Sequence, residues 1–360
     1  MLKSSARLAS IHTRRPTTLA TLRRAALARP SPLPLPSLLP RRTLTTTRAM
    51  SNPQVQAIAG PLTSTATFLV LTVQPGGEAA VADVLGSVSD LSKNVAIRDA
   101  GAGLSVTVGI GARVWDAVTG LSRPSELHEF KELRGATHTA PSTPGDLLFH
   151  IRAERRDLVY EFERILLDKL GAAVTVEDET TGFRYFDARD LLGFIDGTAN
   201  PIGQALDASV IIAEEDDAHA ARGSYVTTQK YLHNLKSWGK LKTEDQEAVI
   251  GRTKIDNVEL ADQADADQKP HKQLATIVDE NGVEHDILRD NMPFGAPGKG
   301  EYGTYFIGYS RRLWVTEEML RRMFIGVPEG KHDRILDFST AVTGSVFFVP
   351  CAEVLDSIGS

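Results

Sequence analysis

The chain after residue 60 alternates apolar and polar positions with two different periods. Runs rich in β-branched residues that alternate every second position predict strands, whereas apolar residues three and four apart predict amphipathic helices. The predicted elements of the first half are a strand at 65–76, a helix at 78–93, strands at 104–111 and 146–154, a helix at 156–170 and a strand at 174–186. This order is that of a ferredoxin-like α+β unit.

The second half repeats this alternation with a longer insertion and no detectable sequence repeat. The predicted elements are strands at 223–234, 301–312 and 344–350 and helices at 243–254 and 316–326, the last with Thr316 as its N-cap. The segment 256–300 is predicted to be loop-like, is too long for a plain connection, and such segments usually carry function. We therefore predict an α+β protein of two tandem ferredoxin-like domains, at 51–200 and 201–360.

Residues 1–50 differ in composition from the rest. They hold ten Lys and Arg and no acidic residue, and the first acid of the chain is Glu78. A segment rich in Arg, Ser, Ala and Leu is typical of a mitochondrial transit peptide, which predicts a mitochondrial matrix protein. A disordered basic leader is the alternative, and Met50 could start a shorter cytosolic form.

The charge and cysteine content of the remainder exclude several classes of protein. All 46 acidic but only 30 basic residues lie at 51–360, a net charge near −16 that argues against nucleic-acid binding. No apolar run reaches the roughly 18 residues of a membrane-spanning helix. The single cysteine, Cys351, excludes disulfides within the chain and thiolate metal sites, and it is predicted to be buried at a strand end.

Two segments contain residues suited to catalysis. In "LLGFIDGTANP" (191–201), Asp196 follows an apolar run between Gly193 and Gly197. Asp-Gly followed by Asn-Pro is also typical of an ordinary turn, so both interpretations stay open. In the long segment, His271 follows a proline, and Arg289 and Asn291 stand two apart, so an extended chain would direct both to one side.

These residue types together suit the splitting of peroxide on haem. A neutral imidazole can ligate iron, a carboxylate can take and pass on a proton, and a guanidinium can stabilise negative charge at any working pH. Glycines let the backbone approach a flat macrocycle closely. His233 is the competing metal ligand, whereas the remaining histidines, His138 and His332 among them, fall in no supporting pattern.

Several motifs resemble the dye-decolorising peroxidases, in particular their B class. "GFIDGTANP" resembles the family's GxxDG motif and "ILRDNMPFG" its distal arginine segment. "GSYVTTQKYLHNLKSW", "EAVIGRTK", "YGTYFIGYSR" and "ILDFSTAVTGSVFFVP" are similar to further family segments in the same order. The resemblance runs from about residue 62 to 356. It implies a pair of ferredoxin-like domains with antiparallel sheets, of the dimeric α+β barrel superfamily, with haem held mainly by the second.

The resemblance also implies a role for each candidate residue. It makes His271 the proximal ligand of one haem b per chain, Asp196 the distal acid, Arg289 the distal arginine and Asn291 a second distal hydrogen-bonding residue. A carboxylate should accept the other N–H of the proximal histidine, and Asp333 is preferred to Asp337 for this task.

Four further expectations follow from the resemblance. Gly193 and Gly197 would lie against the cofactor, and Phe306 would either wall the haem pocket or be a plain core residue. The protein would be a homo-oligomer. It would reduce hydrogen peroxide and oxidise phenols, dyes or metal ions such as manganese.

Bulky reductants would deliver electrons through surface aromatic residues. The candidates are Trp115, Trp238, Trp314 and seven tyrosines, which the sequence does not rank. The alternatives to a peroxidase are a non-catalytic haem-binding or haem-delivery protein of the same fold and a cofactor-free α+β barrel enzyme.

Overall fold

The computed structural model of the protein describes residues 54–60 and 62–359. The strands are Thr65–Val73 (β1), Ser105–Ile110 (β2), Leu133–Arg134 (β3), Thr139–Ala140 (β4), Leu147–Ala153 (β5), Val174–Phe183 (β6), Ser224–His233 (β7), Ile277–Val278 (β8), Glu284–His285 (β9), Leu288–Arg289 (β10), Met292–Ala296 (β11), Glu301–Ser310 (β12), Ser339–Ala341 (β13) and Ser345–Val349 (β14). The helices are Glu78–Gly86 (α1), Val88–Ala96 (α2), Trp115–Thr119 (α3), Arg156–Leu170 (α4), Gln204–Val210 (α5), Leu235–Trp238 (α6), Thr243–Ile250 (α7), His271–Ala275 (α8), Leu313–Phe324 (α9) and Ala352–Ser357 (α10).

Ten strands form one antiparallel sheet in the order β10-β12-β7-β14-β2-β5-β1-β6, with β11 on β12 and β13 on β7. The predicted α+β class with antiparallel strands is therefore confirmed. Strands of the second half lie together, strands of the first half lie together, and the pairing of Phe348 with Ile110 joins the two groups. The boundary at residues 200 and 201 stays a prediction.

The central strands of the sheet are buried on both faces, which explains their apolar sequences. Every residue of β5 is buried: Phe149 and Ile151 belong to the core under the helices, and Leu148 to a second core on the other face. Helix α4 covers the first core with apolar residues at helical spacing, among them Phe162 and Leu166. Cys351 follows β14 and is buried, as predicted. No helix in the described part of the chain is long and apolar enough to cross a membrane.

Three local predictions need correction. The helix predicted at 78–93 is two helices, α1 and α2, that meet at Ser87, where Gly86 packs so closely on the carbonyl of Ile358 that no side chain would fit. Helix α9 begins at Leu313, so Thr316 is a buried first-turn residue and not its N-cap. The segment 256–300 is not a plain loop, since it contains α8 and four short strands.

A buried ion pair joins the two groups of strands beneath the segment that carries Arg289 and Asn291. Asp290, between them, is 4% exposed, and its Oδ2 lies 2.9 Å from Nη1 of Arg152, which is 1% exposed. Arg152 also donates to the hydroxyl of Thr107 at 3.2 Å. Because successive side chains of an extended segment point to opposite sides, burying Asp290 directs its two neighbours the other way.

We predict that Arg152→Leu lowers the free energy of unfolding by about 3–5 kcal/mol, because it leaves the Asp290 carboxylate buried without its partner. The control is Arg155→Leu, which removes an exposed guanidinium paired with Asp99 and Asp157 and should lower the free energy of unfolding far less. Urea unfolding of both variants measures the difference. Equal losses would contradict the importance of the buried pair.

Candidate active site

A cavity of about 490 Å³ brings together most of the residues predicted to be functional. Its wall includes His271, Asp196, Arg289, Asn291 and Phe306, which come from well-separated parts of the chain. The remaining wall mixes polar and apolar residues, and its large apolar side chains are Leu192, Phe194, Ile250, Ile287, Met319, Leu320, Met323 and Ile335. An apolar cleft of this size with a few converging polar groups is typical of a cofactor site.

Asp196 lies in a tight turn that also fixes its carboxylate. Its backbone N–H donates to the carbonyl of Ala188 at 2.9 Å. Its Oδ1 accepts from the N–H of Gly197 at 2.7 Å, and its Oδ2 accepts from Nδ2 of Asn291 at 3.0 Å. The turn and the functional interpretation are therefore compatible, since the turn positions the carboxylate in the cavity.

The two glycines that flank Asp196 have different surroundings. Both have positive φ, 94° at Gly193 and 75° at Gly197, which favours glycine at each position. Gly197 is part of the cavity wall. Gly193 is not part of that wall, and a side chain there would collide with the side chain of Lys254.

Asn291 and Arg289 are held by contacts that the sequence did not reveal. Oδ1 of Asn291 accepts from the N–H of Ile307 at 3.0 Å, which leaves its amide N–H₂ to face Asp196. Asn200 clamps the backbone of Arg289: its Nδ2 donates to the Arg289 carbonyl at 2.7 Å, and its Oδ1 accepts from the Arg289 N–H at 3.1 Å. In the sequence, the only indication that Asn200 matters was its position in the predicted turn "GTANP".

The guanidinium of Arg289 is available to a ligand. It makes no hydrogen bond or ion pair with another residue of the described chain, and it lies on the cavity wall. A charged group left without a protein partner in a largely apolar cleft is suited to bind or stabilise an anion.

His271 begins α8 directly after Pro270, and its ring is fixed by a carboxylate. Its Nδ1 lies 2.6 Å from Oδ2 of Asp333, which is fully buried and accepts from the N–H of Ile335 through its other oxygen. Burial alone would lower the pKa of His271, but the attraction of Asp333 and its hydrogen bond outweigh burial and raise the pKa. Nε2 is then the nitrogen that can bind a metal ion.

Asp337, the alternative partner of His271, lies elsewhere. Its Oδ1 is 3.0 Å from Nε2 of His138 and 2.9 Å from Nε2 of His332. The structure thus brings Asp333 and not Asp337 to His271.

His233, the competing ligand, also lies on the cavity wall but has both ring nitrogens engaged. Nδ1 is 2.8 Å from the hydroxyl of Ser339, and Nε2 is 2.9 Å from the hydroxyl of Thr304. Burial lowers the pKa of His233 to about 4, so the ring is neutral at ordinary pH. Binding a metal ion through His233 would break one of these two hydrogen bonds.

Asp190 is a cavity residue that the sequence analysis missed. Its Oδ1 accepts from the N–H of Phe194 at 3.0 Å. Burial raises the pKa of Asp190 to about 7, and the neighbouring charge of Asp196 acts in the same direction. The apolar "LLGF" sequence after Asp190 was the only signal of its burial.

The three tryptophans considered for electron transfer differ in their exposure to solvent. Trp115 and Trp238 are buried core residues. Trp314 is 38% exposed, and its ring lies edge-on to that of His285, with 5.0 Å between the centroids. His285 is on the cavity wall. Phe306 both lines the cavity and packs against the core, so its two predicted roles are compatible.

A second, small cavity of about 40 Å³ touches the same polar residues. Asp196, Arg289 and Asn291 line both cavities, and Arg184, Tyr185 and Arg189 belong only to the small one. A space of this size holds about one water-sized molecule.

The large cavity fits haem by the chemistry of its residues. It combines an imidazole backed by a buried carboxylate, as proximal haem histidines have, with an apolar wall and a group of polar residues that can act on an iron-bound ligand. This combination defines a haem-binding oxidoreductase.

Comparison with known proteins gives the family. The models of the N-terminal and C-terminal parts of the Dyp-type peroxidases match residues 55–184 and 187–354. A dye-decolorizing peroxidase of Rhodococcus erythropolis is 52% identical over 304 residues, 84% of this chain and 88% of that protein. One of Mycobacterium tuberculosis is 53% identical over 304 residues, 84% of this chain and 89% of that protein.

A solved structure of DyPB from Rhodococcus jostii agrees with the fold. It has a TM-score of 0.81 and 53% identity, covering 85% of this chain and 98% of that one. Variants of the same protein have been solved in complex with heme. The chain belongs to the Dyp-type (dye-decolorising) peroxidase family: it is a peroxidase, and its cofactor is haem.

The predicted mitochondrial location with a transit peptide is wrong. The relatives come from Rhodococcus, Mycobacterium and Mycolicibacterium, which are bacteria. The prediction rested on the basic, acid-free composition of residues 1–50, and such a composition is not specific for an import signal. These residues lie outside the described part of the chain.

Proposed function

We propose that the protein reduces hydrogen peroxide on a haem whose iron is bound by His271, with Asp196, Arg289 and Asn291 acting on the peroxide. The observation that carries this proposal is one shared cavity wall. It holds His271, which the buried Asp333 orients from behind, the Asp196–Asn291 pair, and the Arg289 guanidinium, which has no protein partner in the described chain. Haem supplies the redox-active iron at which the O–O bond is cleaved.

Asp196 takes and returns the proton. Its two carboxylate oxygens accept hydrogen bonds from Gly197 and Asn291, so the ionised form is held in one orientation in the cavity. A carboxylate fixed in this way can accept a proton from hydrogen peroxide and return it to the oxygen that leaves as water. Asn291 is a positioning residue for this step.

Arg289 supplies charge stabilisation. A guanidinium cannot act as a base at working pH, so its contribution is to stabilise the negative charge that develops on the departing oxygen. Asn200 positions Arg289 through its backbone, and the buried pair of Asp290 and Arg152 anchors the same segment.

Peroxide and the bulky reductants are proposed to react at different places. The small cavity beside Asp196 and Arg289 has room for a molecule about the size of peroxide. We propose that bulky reductants are oxidised at the protein surface, at Trp314, because this exposed indole contacts His285 on the wall of the haem cavity.

Metal ions are a second class of reductant. One solved DypB variant is in complex with manganese. In this chain Glu284 and Asp286 contribute acidic groups to the cavity wall, which suits a hard divalent cation. The predicted homo-oligomer stays a prediction.

A haem-delivery protein of the same fold is the weaker proposal. A carrier needs a ligand for iron and an apolar cleft, but it has no use for a carboxylate and a guanidinium fixed in the same cavity. The arrangement of Asp196, Asn291 and Arg289 therefore favours catalysis.

We predict that His271→Ala loses most of the bound haem while the fold is kept, because the variant lacks the imidazole that is proposed to bind the iron. The matched variant is His233→Gln, which should retain haem. Soret absorbance per chain measures haem content, and circular dichroism checks the fold. A full Soret band in His271→Ala together with its loss in His233→Gln would identify His233, and not His271, as the iron ligand.

We predict that Arg289→Leu slows the reaction of the haem protein with hydrogen peroxide by about 100-fold or more, because one charge-stabilising donor is typically worth on the order of 3 kcal/mol. Asp196→Asn should slow the reaction less and mainly change its dependence on pH. Stopped-flow recording of the Soret change between about pH 4 and 8 separates them. A larger loss for Asp196→Asn at every pH would exchange the two roles.

We predict that Trp314→Phe lowers turnover of a bulky anthraquinone dye severalfold, because phenylalanine is not oxidised by the haem centre. The same variant should react with peroxide and with Mn²⁺ at the unchanged rate. Tyr160→Phe is the control, since Tyr160 is exposed but does not line the cavity. Unchanged dye turnover in Trp314→Phe would place the surface site elsewhere.

A further inference from the structure

Two histidines that fall in no sequence motif meet one carboxylate outside the haem cavity. Nε2 of His138 and Nε2 of His332 lie 3.0 and 2.9 Å from the same oxygen, Oδ1 of Asp337. One candidate ligand atom from each of the three residues lies within 4.8 Å of the others. The two rings stand edge to face, with 4.7 Å between their centroids and an angle of 75°. Each imidazole therefore directs its Nε2 toward the same carboxylate oxygen.

Both sides of this cluster are held by the backbone. His138 lies in the turn between β3 and β4, where its carbonyl accepts from the N–H of Gly135 at 2.9 Å. Gly135 packs so closely on the carbonyl of Phe324 that only glycine fits, which docks the hairpin against the end of α9. The backbone that carries His138 is therefore fixed, and the cluster does not depend on mobile surface loops.

The other two ligands come from one short segment. Asp337 ends a 3₁₀ turn, Arg334–Asp337, and the carbonyl of His332 accepts from Nε2 of Gln268 at 2.9 Å. Between them in sequence lies Asp333, the buried partner of His271. The hairpin of the first half and the segment that supplies Asp333 thus meet at this cluster.

We propose that His138, His332 and Asp337 form a binding site for a divalent transition-metal ion of the Zn²⁺ type. With ligand bonds of about 2.0–2.1 Å, a tetrahedral zinc site has ligand–ligand separations of about 3.3 Å. The two nitrogen–oxygen separations in this cluster, 3.0 and 2.9 Å, are close to that value, and all three ligand atoms lie within 4.8 Å of one another. Side-chain rotation that brings the atoms to about 3.3 Å from one another would complete the site. Water completes the fourth position, because the three side chains are partly open to solvent.

The ligand set also selects the ion. Two imidazoles and one carboxylate suit zinc and its first-row neighbours, whereas Mg²⁺ and Ca²⁺ prefer ligand sets made of oxygen. A bound ion would link the β3–β4 hairpin to the 332–337 segment. It would stabilise the folded chain by an amount that grows with the logarithm of the free zinc concentration above the dissociation constant. This site is independent of the proposed haem chemistry.

The test uses the fully haem-loaded protein, so that His271 is not available to added zinc. After equilibrium dialysis against micromolar ZnCl₂ with millimolar MgCl₂ present, elemental analysis should find about one zinc per chain in the unaltered protein. His138→Gln and Asp337→Asn should each lose most of this zinc. The control is His128→Gln, which removes another partly exposed histidine beside a carboxylate, that of Glu317, and should keep it.

A second measurement guards against misfolding of the variants. Zinc at about 100 times its dissociation constant should raise the Tm of the unaltered protein by about 4 °C and leave that of His138→Gln unchanged. Less than about a tenth of an equivalent of zinc in the unaltered protein would overturn the proposal. Equal zinc content in His138→Gln and His128→Gln would do the same, because the bound zinc would then lie elsewhere.

Discussion

The ion pair between Arg152 and Asp290 is the constraint on which the active site depends. It joins β5 to the segment 289–291 in the interior of the protein, where an unpaired charge would be costly. Because side chains alternate along an extended segment, fixing Asp290 inward directs Arg289 and Asn291 into the cavity. One buried interaction therefore sets the direction of two side chains of the cavity wall. Asn200, which follows the Asp196 turn in the sequence, binds the backbone of Arg289 and so ties the two segments together.

The same principle operates around His271. Asp333 is fully buried, and its two oxygens are used by the imidazole of His271 and the N–H of Ile335. The imidazole cannot rotate without leaving that carboxylate unpaired. In both places a buried carboxylate orients side chains on the wall of the large cavity, so the geometry of the cavity depends on the packed interior and not on the loops alone.

The two cavities bear on the proposed use of small and large substrates. In that proposal peroxide occupies the small space beside Asp196 and Arg289. Bulky reductants would instead react at Trp314, which is 38% exposed and whose ring meets that of His285 on the wall of the large cavity.

The sequence by itself determined the strands and long helices, because apolar periodicity directly reflects burial on a sheet or helix face. It also determined the identities of Asp196, His271, Arg289 and Asn291 as candidates, because local motifs carry them. Composition was not enough to determine a cellular location. Only the tertiary structure decided that Asp333 and not Asp337 reaches His271, and that His233 is engaged by Ser339 and Thr304.

The tertiary structure alone also revealed Arg152, Asn200 and Asp190 around the cavity, and the meeting of His138, His332 and Asp337 outside it. The physical reason is the same in each case. These contacts join residues far apart in the chain through antiparallel pairing and close glycine packing, and the pattern along a sequence reports whether a position is buried but not which distant residue it meets.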